Sequence, residues 1–218
     1  MKQIPINRVL AHLKKAAQQW VTPSVTFISV QTKDPFKILM STLLSLRTKD
    51  ATTIQASERL FRLAETPKAM LKLSRKQIEQ TIFPVGFYRT KAKRILEICQ
   101  TLLNEYKGQV PDQLDELLKL KGVGRKTANL VLTLGFQKHG ICVDTHVHRI
   151  SNRWGLVKTK TPEQTEFALM KALPKRHWIA YNDLLVSFGQ NICQPISPWC
   201  SRCPIEKNCP RIGIKRNR

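Results

Sequence analysis

The chain is 218 residues long, enough for one sizeable hydrophobic core or two small ones. Lysine and arginine outnumber aspartate and glutamate by 37 to 15, and this net charge of +22 is best explained by a polyanionic partner, because it repels itself in a compact fold. No stretch approaches the roughly 18 apolar residues of a membrane span, and residues 1–9 hold no long apolar run, so we expect no membrane segment, no secretory signal and a cytoplasmic location.

The first fifth of the chain carries clear helix signals. Apolar side chains from Val9 to Trp20 recur at helical spacing. Asp34-Pro35 predicts an N-cap and a first turn, followed by an apolar helix that runs to about Leu46. Alternation typical of strands is scarce, and its best stretch, residues 25–30, is short. The sequence therefore predicts an all-α fold.

Later helices are marked by their ends. Thr161-Pro162 repeats the cap-then-proline device. Ser74 and Gln77 have the spacing of a capping box, in which each side chain binds the backbone of the other. A longer helix is predicted over about residues 90–106, with Gly108 just past its end.

Basic residues crowd three predicted helix starts, where each opposes the helix macrodipole by roughly 0.3–1 kcal/mol when exposed. They are residues 89–94, Arg125 with Lys126, and Arg47 with Lys49 beside the predicted N-cap Asp50. Phosphate oxygens at these starts would turn the same charges into a favourable arrangement. A solvated side chain explains any one position, but the three together favour a nucleic acid partner.

A glycine hairpin between two helices is the most specific DNA signal. Helices are predicted over residues 112–119 and from residue 125 to about 134, joined by LKGVG. The glycines allow positive φ and close approach of another backbone, and the start of the second helix adds its unpaired N–H groups. We predict a phosphate clamp, independent of base sequence, formed by Gly122, Val123, Gly124 and Arg125.

Four of the six cysteines lie close together near the end of the chain, as C-x6-C-x2-C-x5-C: Cys193, Cys200, Cys203 and Cys209. Without an export signal, such crowding indicates metal ligation rather than a disulfide framework. Four thiolates in a short loop suit either a tetrahedral zinc ion or an iron–sulfur cluster.

Four segments in this order resemble the helix-hairpin-helix DNA glycosylase superfamily, and within it endonuclease III. They are LLSLRTKD from Leu43, LKGVGRKTANLVL from Leu120, VDTHVHRISNR from Val143, and the cysteine cluster. The resemblance covers nearly the whole chain. It implies two lobes: a six-helix barrel with the helix-hairpin-helix motif over residues 28–139, and a helical lobe of residues 1–27 plus 140–218 that carries the iron–sulfur loop.

The same resemblance implies an activity and a cofactor. A monomer would bind double-stranded DNA containing damaged bases or abasic sites at the nucleoid, excise oxidised pyrimidines and nick the strand by β-elimination. Lys126 matches the Schiff-base nucleophile and Asp144 the essential acidic residue. The asymmetric cysteine spacing matches a 4Fe-4S cluster loop, which we prefer to zinc.

The residues themselves are consistent with those two roles. Lys126 lies in the first turn of its predicted helix, beside Arg125. The positive end of the helix and the charge of Arg125 both favour the neutral amine that attacks a sugar C1′. Asp144 precedes a predicted helix as its N-cap, where N–H donors favour the carboxylate. A surface lysine and an ordinary capping aspartate are the alternative interpretations of each residue taken alone.

The chain also departs from the family. Arg47 stands where the family commonly has Gln, and Phe87 stands where it has an apolar wedge; we predict that both fill the gap left by a flipped base. The alternatives are an arginine that binds phosphate and a phenylalanine of the core. Lys121 replaces the usual hairpin proline. Two alternatives remain, a thymine-mismatch glycosylase and a helix-hairpin-helix protein that binds DNA without catalysis. The lysine–aspartate pair argues against the second, because binding alone does not require it.

Overall fold

The computed structural model describes residues 4–218, and within that range the protein contains α-helices and short 3-10 turns but no β-strand. The α-helices, in chain order, are α1 (Ile6–Ala17), α2 (Ser24–Thr32), α3 (Pro35–Ser45), α4 (Asp50–Leu63), α5 (Pro67–Met70), α6 (Arg75–Ile82), α7 (Tyr88–Tyr106), α8 (Leu114–Lys119), α9 (Arg125–Gly135), α10 (Thr145–Arg153), α11 (Pro162–Ala172) and α12 (Trp178–Asn191). The prediction of an all-α fold is confirmed.

The chain divides into two compact units. One unit is continuous and comprises Ser24–Lys138, hence α2 to α9. The other is built from two separate stretches, the segment that ends at Pro23 and His139–Arg218, hence α1 with α10 to α12. Among residues 4–218, no helix is both long enough and apolar enough to cross a membrane.

Helix α3 forms the centre of the continuous unit. Eight of its residues are buried, and α2, α4, α7 and α9 pack around it. A helix that is apolar on all sides must be enclosed by other elements, which explains the length of the apolar run in the sequence. Gly135, at the end of α9, lies against Pro35 at the start of α3, where a Cβ atom would come within 3.3 Å of the proline.

Local caps begin the helices as the sequence predicts. The Asp34 side chain accepts a hydrogen bond from the Phe36 N–H at 2.8 Å, and Pro35 occupies the first turn of α3. The Ser74–Gln77 capping box is present with both of its hydrogen bonds. Each bond satisfies an N–H group that the helix itself leaves without a partner.

Residues 25–30, the best strand candidate, belong to helix α2, so that interpretation is wrong. The buried residues of α2 are Ser24, Val25, Ile28 and Ser29, which follow helical spacing. β-Branched residues favour strands only weakly, and packing against α3 and α4 overrides the preference here.

The sequence predicted that Asp50 is the N-cap of α4, and this prediction is wrong. Lys49 occupies the cap position, and Asp50 is the first residue of α4. The Asp50 carboxylate instead accepts a hydrogen bond from the Ser24 hydroxyl at 2.5 Å, and it lies 3.3 Å from the Ser24 backbone nitrogen. It therefore stabilises the start of α2, a partner 26 positions away in the sequence.

The second unit has its own core, in which α12 packs against both α1 and α10. Val9, Leu10 and Leu13 of α1 are buried in it, with Trp154 and Phe188 among its largest side chains. Helices α10 and α12 approach closely at Gly189, where a Cβ atom would collide with the ring of His146.

Replacing Gly189 with alanine should therefore destabilise the protein. Gly→Ala inside a helix ordinarily stabilises by about 0.5–1 kcal/mol, but the new Cβ must here displace the His146 ring, and overpacking of this kind costs about 1–3 kcal/mol. Urea unfolding of the two proteins measures the difference. A variant as stable as the wild type, or more stable, would show that the helices do not need glycine at this contact.

Candidate functional site

The hairpin between α8 and α9 is a tight turn in the continuous unit. The Val123 N–H donates to the Leu120 carbonyl at 2.9 Å, and the Val123 side chain is buried. Gly122 has φ +89°, a conformation that side chains disfavour, and a Cβ atom there would meet Arg94 at 3.3 Å. Gly124 has φ −96°, so only the first glycine is needed for its positive φ.

Gly124 instead leaves space at the start of α9. Apart from its chain neighbours, no atom of the described residues 4–218 lies within 4 Å of the position that its Cβ would occupy. Gly124 cannot cap α9 with a side chain, and the first turn of α9 contains no acidic residue. A helix start of this kind, open on one side and flanked by Arg125, favours an anion.

Lys126 is the second residue of α9 and is half-buried. The residues that follow it, Thr127, Ala128 and Asn129, are buried and anchor the helix in the core of the unit. The lysine stem is therefore fixed at the edge of that core, within the first turn of the helix that the hairpin introduces.

Glu97 forms ion pairs with three basic residues in or near the hairpin. Arg94 contacts its carboxylate at 2.5 Å, Lys121 at 3.5 Å and Lys93 at 3.9 Å. Desolvation raises the pKa of Glu97, but the hydrogen bond from Arg94 and the three positive charges outweigh it and lower that pKa below its usual value. Lys121, which stands where the family has proline, is thus held partly by Glu97.

Arg47 and Phe87 lie together, although 40 positions separate them in the sequence. The Arg47 guanidinium carbon is 5.5 Å from the centre of the Phe87 ring. Both residues have left-handed backbone conformations, with φ +53° and +58°, and the Phe87 side chain is 61% exposed. An exposed aromatic ring next to a cation, both on constrained backbone, is suited to stacking on bases.

Asp144, in the other unit, is the N-cap of α10, as the sequence predicts. Its Oδ1 accepts a hydrogen bond from the Val147 N–H at 2.9 Å. The preceding residues, Ile141 to Val143, are buried. The Asn182 side chain of α12 donates to the Cys142 carbonyl at 3.1 Å, which fixes the approach to the cap.

The four clustered cysteines line one pocket, together with Trp154, Phe188, Ile192 and other largely apolar side chains. None of the six cysteines, all within the described residues 4–218, forms a disulfide. Within that range no group of three or more histidine, cysteine or acidic side chains is placed to hold a single metal ion. Burial raises the pKa of Cys203 to about 12, so its ligation requires the loss of a firmly held proton.

The two cysteines outside this cluster are buried thiols. Cys99 is 0% exposed and Cys142 is 1% exposed. Burial raises the pKa of Cys99 to about 12, which keeps it protonated and unreactive.

Two arginines of α10 hold the cysteine loop, and sequence reasoning missed both. Arg149 donates to the Cys193 carbonyl at 2.8 Å. Arg153 donates to the Gln194 and Pro195 carbonyls, each at 2.7 Å, and its Nη1 lies 3.3 Å from the Cys193 sulfur. Their partners lie about 40 positions further along the chain, so no local pattern could have revealed them.

The basic tail after Cys209 packs against the cysteine loop. The Arg218 guanidinium lies 4.0 Å from the centre of the Trp199 ring. The Arg218 backbone N–H donates to the Pro198 carbonyl at 2.8 Å, and its side chain donates to the Ser197 carbonyl at 3.0 Å. The tail therefore covers the cysteine loop.

Comparison with known proteins gives a family match. Residues 40–175 match the model described as "HhH-GPD superfamily base excision DNA repair protein". The chain is 52% identical over 176 residues to endonuclease III of Thermotoga maritima, covering 81% of this chain and 83% of that protein.

Solved structures show the same similarity. A trapped covalent intermediate of endonuclease III with DNA matches with a TM-score of 0.82 at 34% identity, over 94% of both chains. A thermostable thymine-DNA glycosylase matches with a TM-score of 0.80 at 24% identity, also over 94% of both chains. The second match shows a shared fold alone, so fold does not separate these two types of enzyme.

The capping bond of Asp144 gives a pair of matched variants. Asp144→Asn keeps an oxygen that can accept from the Val147 N–H, so we expect stability close to that of the wild type. Asp144→Ala removes the cap and should cost about 1 kcal/mol. Thermal unfolding of the three proteins measures this. Equal losses in the two variants would mean that the carboxylate charge, rather than the cap, stabilises α10.

Proposed function

The chain belongs to the HhH-GPD superfamily of base excision DNA repair proteins, and from this membership we propose that it is a DNA glycosylase that also cleaves the strand as an AP lyase. The observation that carries the proposal is the position of Lys126, a half-buried amine in the first turn of the helix that the Gly122–Gly124 hairpin introduces.

Binding begins at the DNA backbone. The hairpin Gly122–Arg125 and the start of α9 offer N–H groups and positive charge to phosphate oxygens. The damaged nucleotide then leaves the base stack. We propose that Arg47 and Phe87, which already lie side by side, fill the space that it vacates.

Lys126 then carries the covalent chemistry. The neutral Nζ attacks C1′ of the flipped nucleotide, the C1′–N bond breaks, and the base departs with the bonding electrons and takes up the proton that Nζ loses. Opening of the sugar ring gives an imine between Nζ and C1′. Loss of a C2′ proton then expels the 3′ phosphate by β-elimination, and water hydrolyses the imine to release the enzyme.

Asp144 supplies the negative charge in this reaction. Positive charge builds on the sugar as the base departs. The Asp144 carboxylate is already held in place by its hydrogen bond from the Val147 N–H, so it can stabilise this charge without first having to reorganise.

Oxidised pyrimidines in double-stranded DNA are the proposed substrates. Resemblance to endonuclease III supports this choice, because sequence identity to that enzyme is well above identity to the thymine-DNA glycosylase. Thymine-mismatch excision is therefore not favoured. One chain supplies every residue of the proposed chemistry, which supports action as a monomer, and the net charge of +22 supports residence on the nucleoid.

We propose a 4Fe-4S cluster as the cofactor, ligated by Cys193, Cys200, Cys203 and Cys209. The donor set fits, because four thiols line one largely apolar pocket and an arginine N–H points to the sulfur of Cys193. Such a cluster would supply cross-links between the thiolates, while Arg149 and Arg153 hold the surrounding backbone.

Replacing Lys126 with glutamine should abolish covalent trapping. Borohydride reduces an imine to a stable amine, so it should link the wild-type protein to DNA that contains an abasic site. In Lys126→Gln, trapping and strand cleavage should both be lost, while binding to an abasic analogue stays within a few-fold because the hairpin is intact. Asp144→Asn is the matched comparison. It should lose base excision by about 100-fold or more but retain more cleavage at a preformed abasic site, where no base has to depart.

Two outcomes would contradict this assignment. Strand cleavage and trapping at wild-type level in Lys126→Gln would exclude Lys126 as the nucleophile. Equal losses of excision and cleavage in Asp144→Asn would show that Asp144 acts on the amine rather than on the departing base.

The cofactor proposal predicts a brown protein with broad absorption at the blue end of the visible spectrum. Elemental analysis should give about four iron atoms per chain. Cys200→Ser should lose the colour and lower the unfolding temperature, because ligation contributes folding energy directly, whereas Cys99→Ser should keep the colour. Stoichiometric zinc without iron would contradict the proposal.

A further inference from the structure

Lys91 is a buried lysine in the second turn of α7. Its side chain points into the continuous unit, and the residue is 8% exposed. The ammonium donates to the Leu44 carbonyl at 2.8 Å, to the Leu46 carbonyl at 2.6 Å and to the Thr48 hydroxyl at 3.2 Å. An ammonium has three N–H groups, and these three bonds use all of them.

The three acceptors are neutral oxygens at the end of α3. Carbonyls at a helix C-terminus carry the negative end of the helix dipole, and the helix leaves them without intrahelical donors. Burial lowers the pKa of Lys91 to about 8, because the charged ammonium is less stable inside the protein than in water. A site that served packing alone would avoid this cost by using an apolar side chain.

The segment that Lys91 binds continues directly into Arg47. The Thr48 hydroxyl also accepts a hydrogen bond from the Gly86 N–H at 3.2 Å. Gly86 packs so closely on this segment that a Cβ atom would lie 2.5 Å from the Arg47 carbonyl oxygen. Phe87 follows immediately, in its left-handed conformation.

The Lys91 ammonium thus joins α7, whose N-cap is Phe87, to residues 46–48, which include Arg47, and the Thr48 hydroxyl links that segment to Gly86. We propose that Lys91 is a positioning residue that sets the spacing of these two side chains for entry into the gap in damaged DNA. This inference rests on the proposed function, because it needs Arg47 and Phe87 to contact DNA. Lys91 would act through them and would not itself touch the substrate.

The test measures selectivity for damage rather than activity. We would measure the affinity of each protein for a duplex that contains a tetrahydrofuran abasic analogue and for the same duplex undamaged. Lys91→Met removes the donors and keeps the apolar stem. It should lower the ratio of the two affinities about tenfold, the typical effect of losing bonds to a charged group, while binding to undamaged duplex is unchanged.

Lys138→Met is the matched control. Lys138 also joins distant segments of the same unit, through its bonds to the Asp112 carboxylate at 2.6 Å and the Asp112 carbonyl at 2.8 Å, but it is not bonded to the segments of Arg47 and Phe87. It should leave the ratio unchanged. Combining Lys91→Met with Phe87→Ala should add little to the effect of Phe87→Ala alone, because coupled residues are not additive.

Three outcomes would contradict the positioning role of Lys91. An unchanged ratio in Lys91→Met, an equal fall in Lys138→Met, or full additivity with Phe87→Ala would overturn the proposal. If Lys91→Met does not fold, Thr48→Val removes the shared hydroxyl with a nearly isosteric side chain and should lower the ratio several-fold; no change there would also overturn it. Failure of the proposed function is distinguishable, because the wild type itself would then show no preference for the abasic duplex.

Discussion

The start of a helix is the constraint on which the proposed chemistry depends. Each of the two side chains proposed to react lies at the start of a different helix. Lys126 is the second residue of α9, and Asp144 is the N-cap of α10. A helix start provides N–H groups that favour negative charge and disfavour positive charge. The same backbone feature thus positions both side chains of the proposed mechanism.

Helix α10 connects that carboxylate to the cysteine loop. Asp144 caps one end of the helix, and Arg149 and Arg153, further along it, bind backbone carbonyls of the cysteine loop. The helix is only nine residues long, about 14 Å at the usual rise per residue. Disorder in the cysteine loop would therefore reach the cap directly, so the proposed cofactor would have a structural role although it takes no part in the covalent steps.

The sequence predicted features whose causes are local. The hairpin with its two glycines and the caps at Asp34, Ser74 and Asp144 all depend on residues within a few positions of each other. Features that depend on distant partners were missed. The Asp50 carboxylate binds Ser24, the α10 arginines bind the cysteine loop, and Lys91 binds the end of α3. Residues 25–30 were misassigned for the same reason, since packing on α3 decides their conformation. The roles of Lys126, Asp144 and the DNA-contacting residues remain predictions.

The central claim is that the Lys126 Nζ forms the bond to the sugar, and mass spectrometry of the trapped adduct tests it most directly. The wild-type protein would be reduced with borohydride on abasic DNA, digested with nuclease and protease, and sequenced by fragmentation. The account predicts a reduced sugar remnant on Lys126 and on no other amine. A remnant on Lys121, on another lysine or on the N-terminal amine would contradict it.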